Sequence, residues 1–183
     1  MVTKLELTDG HVLLRPYRLS DIERLYEAAR ESISEVSVWL QWCQTGYSLK
    51  DSREWVGTRA EAWEKETSYD FTMVDPGDGS YLGGCGLNGI SHEHKFASLG
   101  YWVRTSRTRR GVATAATRLL ARFGFKELKL NRIEIVVATP NIASQRVAEK
   151  AGATREGVLR NRLVVGDKVY DAAMFSLSPQ DLS

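Results

Sequence analysis

Between Tyr101 and Thr114 the chain reads Tyr-Trp-Val-Arg-Thr-Ser-Arg-Thr-Arg-Arg-Gly-Val-Ala-Thr, a short aromatic and β-branched strand that runs into a basic, glycine-containing turn. Val112, Ala115, Ala116, Leu119, Leu120 and Phe123 then recur at helical spacing, with Arg118 and Arg122 on the outer face, so the turn opens directly into an amphipathic helix. The first amides of a helix have no intrahelical partner. With flanking arginines they make an anion site suited to a phosphate or pyrophosphate. A strand that ends just before such a site can hold the rest of an elongated ligand along its edge. The pattern points to a nucleotide-bearing group carrier rather than a bare phosphate.

The other elements decide what surrounds this unit. Val12 to Pro16 reads as a first strand, and Ser20 with Glu23 three residues on forms a capping box for a helix carrying Ile22, Leu25, Tyr26 and Ala29. Val36 to Trp42 is an irregular aromatic segment closed by a turn at Gly46, and a second helix covers about Leu49 to Glu66. Tyr69 to Val74 is a strand ended by Asp75-Pro76-Gly77-Asp78-Gly79. Tyr81 to Ser91 and Phe96 to Val103 flank a polar turn and form an antiparallel pair. After the helix from Gly111 to Glu127 come a β-branched strand, Arg132 to Val137, and a helix from Asn141 to Gly152. Ala153 to Arg162 and Lys168 to Leu177 make a final hairpin around Gly166-Asp167. This order predicts an α/β mixed sheet rather than a regular doubly wound repeat.

Length and charge narrow the classes. The 183 residues suit one domain, 1–183, with a motif core over about 96–162. A formal charge of +2 is too small to support nucleic-acid or membrane binding by bulk electrostatics, so the arginines at 104–110 are a local device. Cys43 and Cys85 lack ligand spacing, and His92-Glu93-His94 lacks a third spaced ligand; neither a disulfide framework nor a metal is expected. Val2 to Gly10 carries charges and no apolar run, and no window reaches the roughly 18 apolar residues of a spanning helix, so a cytoplasmic protein is expected.

Arg109-Arg110-Gly111-Val112-Ala113 at a helix start, preceded by Gly100-Tyr101-Trp102-Val103 and followed by Asn141 through Gly152, resembles a GNAT-family N-acetyltransferase. The branch it is similar to is that of RimJ and RimL, the ribosomal-protein N-terminal acetyltransferases. Leu14-Arg15-Pro16, Ser20-Asp21, Gly83-Gly84-Cys85-Gly86-Leu87 and Glu156-Gly157-Val158-Leu159-Arg160 extend the likeness over almost the whole chain. It implies the GNAT fold: a mixed, mostly antiparallel twisted sheet flanked by helices. It also implies acetyl-CoA as cosubstrate and no metal. The partners it implies are an amine acceptor, a protein N-terminus or a small amine, with the chain a monomer or homodimer.

Residue by residue, the resemblance puts the pyrophosphate on Thr108, Arg109, Arg110, Gly111, Val112, Ala113 and Thr114, with Thr108 departing from the usual Gln or Arg. Trp102 and Val103 would bond the pantetheine arm through their backbones, the Val103 amide lying near the thioester carbonyl as oxyanion donor. Ser144 would protonate the leaving thiolate; its plain alternative is a small polar residue in the first turn of a helix capped by Asn141. Asn141 matches a coenzyme A contact as well as a cap. Trp39 and Trp42 match the acceptor-site wall, or else pin two helices as core.

The general base is not legible. The glutamate of RimL-like enzymes falls on Leu163 here, and Glu35, Asp70, Glu93 and Asp171 are acids that nothing in the sequence brings to the amine. Neutralising an α-amine of pKa about 7.7–8.0 at pH 7 costs roughly 1–1.4 kcal/mol, against about 4.6 kcal/mol for lysine. A site without an evident base therefore suits a protein N-terminal α-amine, with a small-molecule amine such as an antibiotic or polyamine as the alternative. The missing glutamate leaves room for a non-catalytic acyl-CoA sensor. Cys85 reads as a packed strand residue rather than an acyl-accepting nucleophile.

Overall fold

Phe71, Met73, Leu87 and Leu99 alternate with glycine or polar neighbours along their strands, and alternate strand residues face opposite sides of a sheet. Those four are buried, so one face of the sheet belongs to the main core and the other is left to be covered differently. The computed structural model describes residues 5–182. Its strands are β1 (Leu7–Thr8), β2 (Leu13–Pro16), β3 (Ser68–Val74), β4 (Tyr81–Ser91), β5 (Phe96–Val103), β6 (Arg132–Ala138), β7 (Thr154–Val165) and β8 (Lys168–Leu177). The helices are α1 (Ile22–Glu31), α2 (Ile33–Val36), α3 (Leu49–Glu64), α4 (Val112–Lys126) and α5 (Ile142–Ala151).

The strands form one eight-stranded sheet in the order β1-β2-β3-β4-β5-β6-β8-β7. Only β5 and β6 run parallel; every other neighbouring pair is antiparallel. On one face α4 lies across β4 and β5 with α5 beside it, burying Leu120 and Phe123 against Phe71, Leu87, Ile133 and Phe175. Each fully buried side chain of this size contributes about 1.5–3 kcal/mol. On the other face α1 and α3 pack on each other and over β4 and β3.

The α1 entry differs from the capping box expected at Ser20. Ser20 sits in a 3₁₀ turn, Leu19–Asp21, and makes no cap. Asp21 takes over the entry: its carboxylate accepts both terminal nitrogens of Arg15 at 2.7 Å and the Arg18 amide at 2.8 Å. A charged bidentate partner outcompetes a serine hydroxyl for the local geometry. The α3 start is a capping box at Ser48 and Asp51. Ile33–Val36, expected to lead into irregular chain, adds one helical turn, and β1 was too short to read from periodicity. The last hairpin is longer than expected because β7 bulges at 160–162 and resumes to Val165. The far end of α1 is tied to the turn after β5. The Ser32 hydroxyl accepts the Thr105 amide at 3.0 Å, and Glu31 accepts the Ser106 amide at 2.8 Å and the Arg104 guanidinium.

Candidate active site

Strands β5 and β6 separate. They pair only over Phe96–Ser98 against Arg132–Glu134, after which β5 stays with β4 as far as Val103 and β6 stays with β8 as far as Ala138. A fork opens between Leu99–Val103 and Ile135–Ala138. On β5 the Arg104 amide donates to the Leu82 carbonyl at 2.8 Å, and the Trp102 carbonyl overlies Gly83, where a Cβ would collide with it. Backbone groups alternate along a strand, so those of Tyr101 and Val103 turn to the fork instead. The resemblance gives Trp102 a backbone role there as well. Here its backbone faces β4 and its indole enters a cavity.

Beyond β5 the turn at 108–111 is shaped by two left-handed residues, Arg109 at φ 60° and Gly111 at φ 79°. The first helical amide bond of α4 runs from Ala115 to the Gly111 carbonyl at 3.0 Å, so the amides of Val112, Ala113 and Thr114 have no carbonyl one turn back. Successive amides around left-handed residues make an anion-binding concavity, and a non-glycine residue held at positive φ there stores about 1–2 kcal/mol of strain. His11 supports the turn from β2's side: its Nε2 donates to the Arg110 carbonyl at 2.7 Å. Arg109 and Arg110 are exposed. The Thr108 hydroxyl closes the turn on the Thr105 carbonyl at 2.9 Å.

Across the fork stands the start of α5. The Asn141 side chain caps it, accepting the Ser144 amide at 3.1 Å. Ser144 is half-buried, and its hydroxyl meets the Tyr101 hydroxyl at 2.9 Å, while Tyr101 also donates to the Ser144 carbonyl at 3.1 Å. Burial of the phenol raises Tyr101 to about 12 against the opposing hydrogen bond from Ser144, so it stays a proton donor near neutral pH. Both hydroxyls lie on the α4–α5 face.

The opposite face holds a cavity of about 560 Å³ roofed by α1 and α3 and by the segment between α2 and α3. Trp42, Tyr47, Trp55, Tyr17 and Trp102 wall it, and Gly84, Gly86 and Gly100 lie in its floor. Trp42 touches Tyr47 and Trp102 edge-on, with centroids at 5.5 and 5.2 Å. Trp39 stands elsewhere, against Tyr170 of β8. Of the four acids without a place in the sequence reading, Asp70 reaches this cavity. Glu35 holds Ser34 and Thr105 at the surface, Asp171 caps the Asn161 amide at 2.8 Å, and Glu93 lies in the β4–β5 turn. Leu163 is on the edge strand β7, opposite Tyr170. Cys85 lines the cavity but is buried, which pushes its thiol well up and keeps it protonated. Among the described residues no three His, Cys, Asp or Glu side chains gather to hold a metal, and no helix is long and apolar enough to cross a membrane.

Residues 11–154 match the family described as an acetyltransferase (GNAT) domain. The chain belongs to the GNAT acetyltransferase family. YdaF of Bacillus subtilis (strain 168), provisionally assigned as a ribosomal N-acetyltransferase, is 31% identical over 170 residues, 91% of each protein. YjcK of the same organism, provisionally an N-acetyltransferase, is 29% identical over 175 residues, 93% of this chain and 96% of its own. A solved structure provisionally assigned as a ribosomal-protein-serine acetyltransferase from Vibrio cholerae superposes with a TM-score of 0.85 at 27% identity, covering 98% of this chain and 100% of that one. RimL, a ribosomal L7/L12 alpha-N-protein acetyltransferase in complex with coenzyme A, shares the fold with a TM-score of 0.85 at 19% identity, covering 100% and 98%. As a GNAT member the chain is an N-acetyltransferase, and the sheet of eight strands flanked by helices is the GNAT fold.

Sequence reasoning alone missed several residues of this GNAT site. His11 and Tyr101 act through contacts spanning 99 and 43 positions, and neither carries a local signal. Tyr17 and Tyr47 fall just outside the elements read from the sequence and Trp55 reads as an apolar helix residue; only the packing of α1 and α3 brings them together. The glycine run Gly83-Gly84-Cys85-Gly86 was the one available clue to a cleared strand face.

Proposed function

We propose that this N-acetyltransferase carries the acetyl group of acetyl-CoA to a protein N-terminal α-amine by direct attack in a ternary complex. The observation that carries the reading is the fork: a strand edge with the Val103 amide on it, ending in a concavity of free amides at 109–114. The residues fit an elongated diphosphate-bearing donor. Val112, Ala113 and Thr114 supply amides, Arg109 and Arg110 supply charge, and Gly111 supplies the close approach. The Val103 amide donates to the carbonyl oxygen as it gains charge. Ser144 passes its proton to the departing sulfur and takes one back from Tyr101, the stronger acid of the two hydroxyls, which regains its own from water as the products leave. Asn141 holds Ser144 in register by capping α5. The protonated, buried Cys85 supports a route without an acyl-enzyme.

The acceptor class draws support from the provisional ribosomal N-acetyltransferase assignment of YdaF and from the lower cost of freeing an α-amine near neutral pH. The walled aromatic cavity favours a second reading, a small amine. Transfer from acetyl-CoA to peptides with free N-termini, to the same peptides capped but carrying lysine, and to spermidine separates these. Free N-termini are expected to be fastest; faster lysine acetylation overturns the acceptor class, and a spermidine preference installs the second reading. Ser144→Ala is expected to lower kcat about 10²-fold while the acetyl-CoA affinity stays. Loss of affinity in place of kcat overturns its role.

A further inference from the structure

We infer that Asp70 receives the acceptor amine across a floor of glycines and takes its proton once the new bond has formed. This rests on the acceptor reading above and adds a residue to it. In register, Asp70 of β3 lies beside Gly86 of β4, which lies beside Gly100 of β5. In the next row on the same face, Thr72, Gly84 and Trp102, the middle residue again has no side chain, and the Tyr17 hydroxyl and the Trp102 indole lie over it. Neighbouring strands are about 4.8 Å apart, so Asp70 stands about two strand spacings, roughly 10 Å, from the forked strand with no side chain between them. The carboxylate leans into that gap: a Cβ at Gly86 would collide with Asp70 Oδ1.

The two carboxylate oxygens are unlike. Oδ2 accepts Arg59 Nη1 at 2.7 Å and the Ser68 hydroxyl at 2.6 Å. Among the described residues nothing donates to Oδ1, although the side chain is only 11% exposed. Oδ1 opens onto the cavity rather than into packed core, so a ligand there can supply the donor it lacks. Arg59 is itself locked, stacked at 3.7 Å over the Trp55 ring and bonded to the Trp55 carbonyl and Thr58, so Oδ2 is fixed and Oδ1 is held in place over the floor. Aromatic walls with one free carboxylate oxygen suit a primary amine or ammonium.

The chemistry follows from the two faces of the sheet. From the Asp70 face the amine nitrogen pair forms the N–C bond, and the carbonyl π pair moves to the oxygen beside the Val103 amide. The nitrogen, now cationic, gives its proton to Asp70 Oδ1. The carbonyl reforms, the C–S pair leaves on sulfur, and Ser144 protonates that sulfur from the opposite face. Asp70 returns its proton to water as the amide product leaves. A carboxylate is a much weaker base than a free amine. It is matched to the cationic nitrogen after attack rather than to an ammonium before it, which strengthens binding where charge develops.

The test uses Asp70→Asn and Gly100→Ala. The first keeps an oxygen and an amide where the carboxylate was; the second adds a methyl to the floor, where nothing lies within 4 Å of it. The probe is the peptide with a free N-terminus that the wild type acetylates fastest. Asp70→Asn is expected to lower kcat about 10²-fold with the acetyl-CoA KM within about twofold. Gly100→Ala is expected to keep the melting temperature and raise the acceptor KM about tenfold. Wild-type kinetics in both variants overturn the inference. If Asp70→Asn does not fold, an unchanged acceptor KM in Gly100→Ala overturns it alone. A wild type active on spermidine but on no peptide overturns the acceptor class and leaves the same two variants to judge Asp70 with spermidine. A wild type inert toward every amine overturns both readings.

Discussion

The turn at 108–111 and the floor under the cavity both depend on glycine, for unlike reasons. Gly111 is there for its backbone: at φ 79° it enters a region closed to most side chains, while the nearest atom to a Cβ would be His11 Nε2, an ordinary 3.7 Å away. Gly86 and Gly84 are there for the volume they leave, since a Cβ would strike Asp70 at one and the Tyr17 hydroxyl at the other. A conformational glycine belongs to its own turn. A space-making glycine has meaning only through residues distant in the chain. The amide-lined turn, proposed to hold the donor, is thus written locally, and the cavity, proposed to take the acceptor, is written in tertiary contacts.

That contrast can be broken by experiment. The largest effect is expected where the acceptor side is anchored. Asp21, 1% exposed in its side chain and paired with Arg15, sets the entry of α1, and Asp21→Ala leaves a buried guanidinium unpaired at a cost of about 3–5 kcal/mol. Urea unfolding measures it; a loss comparable to that of an exposed pair would deny that α1 is anchored there. Next come two single methyls. Gly86→Ala is expected to cost about 1–3 kcal/mol by overpacking and to impair the acceptor KM, leaving the acetyl-CoA KM alone. Gly111→Ala is expected to cost about 1–2 kcal/mol through its backbone and to do the reverse, raising the acetyl-CoA KM. Equal kinetic damage from both would erase the division.

The smallest effect lies at the closed end of the fork, where Arg132 holds Glu156 in a two-pronged pair that Ser176 completes. The guanidinium, with help from the Ser176 hydroxyl, lowers Glu156 to about 2. A carboxylate lowered on folding stabilises above its unfolded pKa, about 4.3, and loses that contribution as the pH falls through about 2. Thermal melts should find Glu156→Gln less stable than wild type at pH 7, with the gap shrinking as the pH falls toward 2 and closing only below it. At 38% side-chain exposure, solvent screening limits the difference to about 1 kcal/mol or less. A gap that widens in acid would contradict the pairing.

The same division explains what could be read in advance. The strand–turn–helix around Gly111, the α5 boundaries at Asn141 and Gly152 and the terminal hairpin follow from periodicity, caps and turn residues, all short-range signals. The order of elements led to a mixed sheet, but the fork needs the observation that β5 and β6 stop pairing at Ser98 and Glu134. Ser144 had its helical face in the sequence; its partner Tyr101 did not. Asp70 was one acid among four until β3 was set beside two glycines. Ser20 was misread because Asp21, one residue on, had a partner in Arg15 that capping rules do not consider.

The tie between the end of α1 and residues 104–106 has a mechanical consequence. Ser32 and Glu31 are adjacent, and they grip three consecutive residues of the segment that leads out of β5. A rod pinned at its tip cannot swing without dragging the pin. Any tilt of α1 over the cavity therefore shifts the chain only a few residues upstream of Arg109, so the cavity and the amide-lined turn are mechanically joined.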